Sequence, residues 1–271
     1  MSSILSALGI KTDLLFVFVC WGLIFVRILI MMLLTPFLGG KGVPAQARMT
    51  AAIVFSIFMY PLIVPPLKGL LPVNNGIILA LFFKEAFFGL TIGLVTTMVF
   101  YALESAGRVV DQQRGEANAQ LFVPQLGQVT IFGSFNYWMA VAFFLSIGGH
   151  RLFLKAFFES FKAVPLLGFP TLEPGFSPFL QFLVRLSGDV LVISIQLAAP
   201  VLITVLLIDI VLGIANKMAP QINVFELGFA VKGYAGPLMI YVSLYILISQ
   251  MDFLMKGMVD SIIRLTALFA R

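Results

Sequence analysis

From Leu14 to Leu34 every side chain is apolar or absent except that of Arg27, and a stretch of that length is what a helix needs to cross a hydrocarbon layer of roughly 30 Å. Comparable runs extend from Met49 to Val64, Gly76 to about Ala102, Val129 to Gly148, Val190 to Ile214 and Tyr234 to Ser249. An amphipathic tail follows to Arg271. Hydrophobic residues make up 61% of the chain and charged ones 11%, against about 45–50% and about 25% in soluble domains. A soluble core cannot absorb that excess, so the bilayer is the solvent that governs this fold. The expected class is all-α: a polytopic membrane protein of about six apolar helices with kinked hairpins, forming one domain over residues 1–271.

Breaks and flanks support this partition. Pro36 and Gly39-Gly40 close the first run, and Pro65-Pro66 the second. Before the first run, Lys11 and Asp13 precede no small-residue cleavage pattern, so an uncleaved first span is expected. Between the fourth and fifth runs, His150 to Leu167 predicts an amphipathic helix, because Arg151, Lys155, Glu159 and Lys162 recur on one helical face. It would lie in the lipid interface or against a partner helix. A Pro/Gly-rich turn, Gly168 to Pro178, leads to Phe179–Leu186, with Arg185 and Asp189 one turn apart. Basic residues divide too evenly between the two sets of loops for the positive-inside rule to orient the chain.

Ionisable residues inside apolar runs are costly and point to function. Arg27 in mid-span costs about 2.5–3.5 kcal/mol on insertion scales, so it needs a partner, a carbonyl cage or a wet cavity, unless it snorkels to an interface. Lys84 and Glu85 point about 100° apart on a helix, which predicts a separate partner for each and a poor pair between them. The densest polar island, Glu104 to Glu116, aligns Glu104, Arg108 and Asp111 on one face; a solvated helix end would read the same way. It leads into Gly115–Val129, whose small and amide residues Asn118, Gln120, Gln125 and Gln128 alternate with Leu121, Phe122, Val123 and Leu126. Lipid would leave such a loop's backbone unpaired, so protein or a cavity must surround it. Asp209, which follows the helix-kinking Pro200, requires a base such as Lys232 or Arg27, or takes a proton-linked role.

Catalytic chemistry is not evident. There is no phosphate-cradling Gly-rich loop, no histidine pair and no Gly-x-Ser-x-Gly elbow. Cys20 is the single cysteine and His150 the single histidine, which excludes an intrachain disulfide and a cysteine metal cluster. No catalytic residue, cofactor or metal is expected. The net charge of +5 is spread thinly, unlike the basic tracks that follow phosphates, so nucleic acid is not an expected partner.

The segment Asp209 to Gly236 joins the end of one span to the next through Pro220-Gln221-Ile222-Asn223-Val224-Phe225. This hexapeptide resembles the export-gate family of bacterial type III secretion, FliR in flagella and SctT in injectisomes. Further resemblances are Arg27 with Pro36 and Gly42-Val43-Pro44, Lys84-Glu85 with Gly89 and Gly93, and Ala106-Gly107 leading to Asp111-Gln112-Gln113-Arg114-Gly115. The last of these, with Asp209 and Lys232, is closer to the injectisome branch. The resemblance implies a single-copy subunit of a helical hetero-oligomeric gate. Its partners would be SctR/FliP-like and SctS/FliQ-like subunits, an SctU/FlhB-like switch protein, membrane lipid and exported unfolded proteins. It also implies an inner-membrane location with the assembly raised toward the periplasm. By position, the pore-plugging loop of that family falls at Gly115–Gln128, including Asn118, Gln120, Leu121, Phe122, Pro124 and Leu126, with Gly115, Gly127 and Gly133 available as hinges. Arg27, Lys84, Glu85, Arg108, Asp111, Arg114, Asp209 and Lys232 are read as a buried charge network, and Pro220, Gln221, Asn223 and Phe225 as the family turn. A reading of another class is a small secondary transporter with an ion site at Lys84, Glu85 and Asp209. An intramembrane enzyme has the least support.

Overall fold

The structure is a computed structural model that describes residues 14–40, 43–64, 75–115, 130–170 and 176–269. All regular secondary structure among them is helical: α1 (Leu14–Leu34), α2 (Pro36–Gly39), α3 (Ala45–Ile63), α4 (Asn75–Gln113), α5 (Ile131–Ser146), α6 (Gly149–Ala163), α7 (Ser177–Met218) and α8 (Val224–Ala267). Five of these, α1, α3, α4, α7 and α8, are long and apolar enough to cross a membrane, and the pair α5–α6, bent by 77°, could form a sixth span. The polytopic helical class therefore holds.

Several elements run further than their apolar cores. The fifth run and the Phe179–Leu186 piece are one helix of 42 residues, and the sixth run with its tail is one of 44. At 1.5 Å per residue each extends roughly 60–65 Å, about twice the hydrocarbon thickness. A hydropathy window registers only the greasy middle of such a helix, because polar residues at its ends still form backbone hydrogen bonds. For the same reason α4 runs without a break from the third apolar run through the polar island. The helix of the second apolar run, α3, starts at Ala45, directly after Pro44, whose fixed φ suits a helix start. The amphipathic helix stops at Ala163.

Two compact units emerge from the contacts. The first comprises the described residues within Met1–Thr97, Phe153–Phe179 and Ser261–Arg271. Here α1 and the first part of α4 run in the same direction and touch through glycines one turn apart. A Cβ on Gly89 would lie 2.6 Å from the Arg27 carbonyl oxygen, and one on Gly93 would lie 2.8 Å from the Leu34 side chain. Small residues at this spacing let backbones approach, the usual means of helix contact where lipid offers no hydrophobic drive. Thr97 Oγ1 donates to the Leu34 carbonyl at 2.7 Å, satisfying backbone at the break before Pro36. Within this unit α6 buries Phe153, Phe157 and Phe161 and exposes Lys155, Glu159 and Lys162. Its apolar face is thus covered by the chain itself.

The second unit comprises the described residues within Met98–Leu152 and Leu180–Asp260. In it α7 and α8 form an antiparallel hairpin, since Lys232 reaches Asp209 and the Cβ position of Gly228 lies 3.4 Å from Leu212. Val110 from α4 packs with Ala198, Val201 and Val205 of α7, and Met239 and Ile240 of α8 lie against that cluster. Two side-chain bonds to α4 carbonyls add to the packing: Ser194 Oγ to Ala102 at 3.0 Å and Asn136 Nδ2 to Leu103 at 3.2 Å.

Candidate functional site

In the first unit, Arg27 is completely enclosed. Its guanidinium donates to the Glu85 carboxylate through Nε, to Ser160 Oγ at 3.3 Å and to the Val164 carbonyl at 3.2 Å. The Phe161 ring centroid lies 4.1 Å from Cζ and that of Phe88 5.6 Å, placing the cation against aromatic faces. Lys84 Nζ donates to the carbonyls of Pro165, Leu166 and Gly168 at 2.7, 2.8 and 2.9 Å. It also stands 2.8 Å from Glu85 Oε1. The chain leaving the C-terminal end of α6 therefore supplies oxygens to both cations, where helix dipole and unpaired carbonyls favour positive charge. Arg27 does not snorkel. The expectation that Lys84 and Glu85 pair poorly is corrected, because the long lysine stem bends back to bring the ammonium into an ion pair with its neighbour while the three carbonyls accept its protons.

In the second unit, the polar end of α4 holds two other elements. Thr130, at the N-terminal boundary of α5, offers no side-chain cap. The carboxylate of Asp111 takes that place, accepting the N–H of Phe132 at 2.9 Å and of Gly133 at 3.1 Å. These belong to the first orphan donors of the helix, and an anion there also complements its dipole. A Cβ on Gly107 would lie 2.3 Å from the Phe132 carbonyl oxygen, so the close approach of α4 to the start of α5 depends on that glycine. Arg114 reaches α8: Nη2 donates to the Gly233 carbonyl at 3.2 Å, and the guanidinium carbon lies 4.7 Å from the Phe132 centroid. The Asp111–Arg114 approach is longer, at 4.0 Å. Gly115 then takes a φ of +90°, in the left-handed region that favours glycine, with Phe229 2.7 Å from its Cβ position.

The hairpin supplies the rest. Lys232 Nζ and Asp209 Oδ1 are 2.5 Å apart. At the turn, Asn223 caps α8: its Oδ1 accepts the Glu226 N–H at 3.3 Å, and its Nδ2 donates back to Glu226 Oε2 at 3.3 Å. Phe225 and Phe229 meet edge to face with centroids 5.0 Å apart. Pro220 stands just past the end of α7, where it cannot continue the helix, and Gln221 is exposed. Arg114, Gly115, Asp209, Leu212, Gly213, Val224, Phe225, Gly228, Phe229 and Lys232 together line a pocket of about 280 Å³. The Asp111–Gly115 segment thus meets two features of a hairpin distant from it in sequence, the Asp209–Lys232 pair and the turn that ends at Phe225.

The single buried network expected from sequence resolves into separate groups. Arg27, Lys84 and Glu85 form one, enclosed in the first unit. In the second unit Asp111 is buried and Arg114 largely so, but the side chains of Arg108 and Asp209 are 52% and 48% exposed. Arg108 pairs instead with Glu104 at 2.6 Å, one turn away on its own helix. Of the two bases expected for Asp209, Lys232 is the one that pairs with it. Of the loop residues, Gly115 alone is described; Asn118, Gln120, Leu121, Phe122, Pro124, Leu126 and Gln128 lie outside the described residues. Sequence reading passed over Ser160, Phe161, the carbonyls at 164–168, Phe229 and Pro237. Carbonyl acceptors carry no residue-type signal, whereas Pro237 inside an apolar run marks the carbonyl four residues earlier as unpaired.

A family model described as bacterial export proteins, family 1, matches residues 18–258. The chain is 34% identical over 212 residues to the flagellar biosynthetic protein FliR of Bacillus subtilis, covering 78% of this chain and 80% of that protein. It is 32% identical over 189 residues to the Yop proteins translocation protein T of Yersinia pestis, covering 69% and 70%. It is 30% identical over 164 residues to the surface presentation of antigens protein SpaR of Shigella flexneri, covering 60% and 61%.

Proposed function

This chain belongs to the bacterial export proteins, family 1, and on that premise we propose that it is the single-copy subunit of a type III secretion export gate through which unfolded proteins leave across the bacterial inner membrane. The observation that carries the reading is the way both ends of the segment between Gly115 and Thr130 are held. Arg114 ties the outgoing end to α8, and Asp111 caps the helix that receives the returning end. A segment anchored so firmly at its base can occlude a passage in one state and move aside in another. The Gly115–Gln128 loop is the plug in this reading, and residues 1–271 act as one export-gate domain.

The α7–α8 hairpin supports assembly with other subunits. It exposes Leu206, Leu207, Ile210, Val211 and Ile214 on one helix and Tyr234, Tyr241 and Tyr245 on the other. Partners of the SctR/FliP and SctS/FliQ kinds, with an SctU/FlhB-like switch protein, would cover these surfaces. Helices twice as long as a bilayer is thick favour a gate standing partly above the membrane on the periplasmic side. No catalytic step is assigned to the chain, and the energy for export comes from other components.

The Asp111-Gln112-Gln113-Arg114-Gly115 segment favours the injectisome branch. The 34% identity to the Bacillus subtilis FliR favours a flagellar role as the second reading. A transporter site at Lys84 and Glu85 is disfavoured, since both are engaged by Arg27 and carbonyl oxygens. The test is made in cells carrying the partner genes. Deletion of 116–128 is expected to leave the complex assembled, admit small ions through the idle gate and lower export. Unchanged ion permeability would remove the plug assignment, and a functional homomer without partners would remove the gate reading itself.

A further inference from the structure

Pro237 lies inside α8. A proline has no N–H, so the carbonyl of Gly233, four residues earlier, loses its helical donor. In lipid or in a protein interior such a carbonyl must find another partner. Arg114, directly after the last residue of α4, donates Nη2 to that same Gly233 oxygen at 3.2 Å. The fit is built on both sides: a Cβ on Gly236 would lie 2.3 Å from Arg114 Cδ and 2.5 Å from its Nε, so the guanidinium stem occupies space that only glycine leaves open. Phe132 closes the other face at 4.7 Å.

We propose that Arg114 is a positioning residue of the gate, holding the end of α4 on the backbone break that Pro237 makes in α8. The inference rests on the export-gate reading but assigns it a specific pair of elements and a specific bond. Gly236 and Pro237 are the matching half of the site. Neither is explained by hydropathy, since alanine at both positions would give a better helix. The bond also orders the events: α4 cannot leave α8 without uncovering an unpaired carbonyl, so the closed arrangement is favoured until a replacement donor or water reaches Gly233.

A suppression experiment tests this. The full chain is expressed with its gate partners as wild type, R114A, R114K, P237A, G236A and the double variant R114A/P237A. Two quantities are read: recovery of the assembled complex through a tag on a partner, and entry of a small ion through the idle gate. R114A is expected to lower recovery or raise ion entry by about tenfold, the scale of a lost charge-assisted hydrogen bond. R114K, which keeps a donor, should recover part of the loss, and G236A should resemble R114A. The decisive variant is R114A/P237A, in which the residue at 237 regains an N–H for Gly233, so it should return toward wild type. Equal or additive defects in the double variant overturn the proposal, because loss of a positive charge alone is not mended by a change at Pro237. Should wild-type chain fail to restore export to a null strain, the gate reading falls. The same suppression, read as protease resistance of the purified chain, still decides whether Arg114 serves Gly233.

Discussion

The carboxylate of Asp111, near the end of α4, accepts the backbone N–H of Phe132 at 2.9 Å and so caps α5 from a different helix. The two residues flank the segment that leads out at Gly115 and back at Thr130. One side chain therefore fixes how far apart the ends of that segment stand, and a loop proposed to seal a pore gains a rigid base.

Replacing Asp111 should separate capping from charge. Asp111→Ala leaves the N–H groups of Phe132 and Gly133 without their acceptor and is expected to destabilise the solubilised chain by about 0.5–2 kcal/mol, the range for lost N-caps. Asp111→Asn keeps an acceptor oxygen and should cost less. Thermal unfolding of the two variants in detergent checks the order; equal losses would assign the effect to charge, not to the cap.

The Arg27–Glu85 pair should behave as a closed unit. Glu85→Met leaves a fully buried guanidinium without its carboxylate, and removing one member of a buried pair costs about 3–5 kcal/mol. The double change Arg27→Met with Glu85→Met should accumulate in membranes to a higher level than Glu85→Met alone, because Lys84 retains its carbonyl cage. A double variant as depleted as the single one would contradict this.

Glycines in α4 and in the long helices should respond oppositely to alanine. At Gly89 the new Cβ meets the Arg27 carbonyl oxygen at 2.6 Å, so the helices must part, at about 1–3 kcal/mol for overpacking. At Gly188 and Gly257 nothing lies within 4 Å, and alanine there should add up to about 1 kcal/mol through helix propensity. Unfolding midpoints of the isolated chain measure both signs.

For the Asp209–Lys232 pair, partial exposure limits the expected effect on stability. Asp209→Asn or Lys232→Gln should change the isolated chain by no more than about 1 kcal/mol. Assembly and export should fall more than this if the pocket beside Arg114 faces a partner subunit. Comparing the unfolding midpoint with the yield of co-purified complex separates the two, and parallel small changes in both would reduce the pair to a local contact.

Much of the candidate site was legible residue by residue. Arg27, Lys84, Glu85 and Asp209 stood out because a charge in an apolar run carries an energetic cost whatever surrounds it, and Asp111 because it shares a helical face with Glu104 and Arg108. The Asn223 cap could be read from an amide directly before a helix with Glu226 three places on. What could not be read was the acceptor for Lys84 and for one arm of Arg27, since the oxygens of Val164, Pro165, Leu166 and Gly168 belong to the backbone and look alike in any sequence. Lys84 and Glu85 illustrate the limit of periodicity: an angle of about 100° between them says where the side chains leave the helix, not where a flexible ammonium ends.

Sequence alone determined that this chain is a bundle of apolar helices and that its buried ions demand partners, because hydrophobic burial and desolvation are properties of each segment in itself. Only tertiary structure decided that the carbonyls beyond α6 hold Lys84 and Arg27, that Asp111 caps α5, and that Arg114 answers the proline of α8. Those choices depend on which backbone groups the packing of distant helices leaves unpaired and within reach.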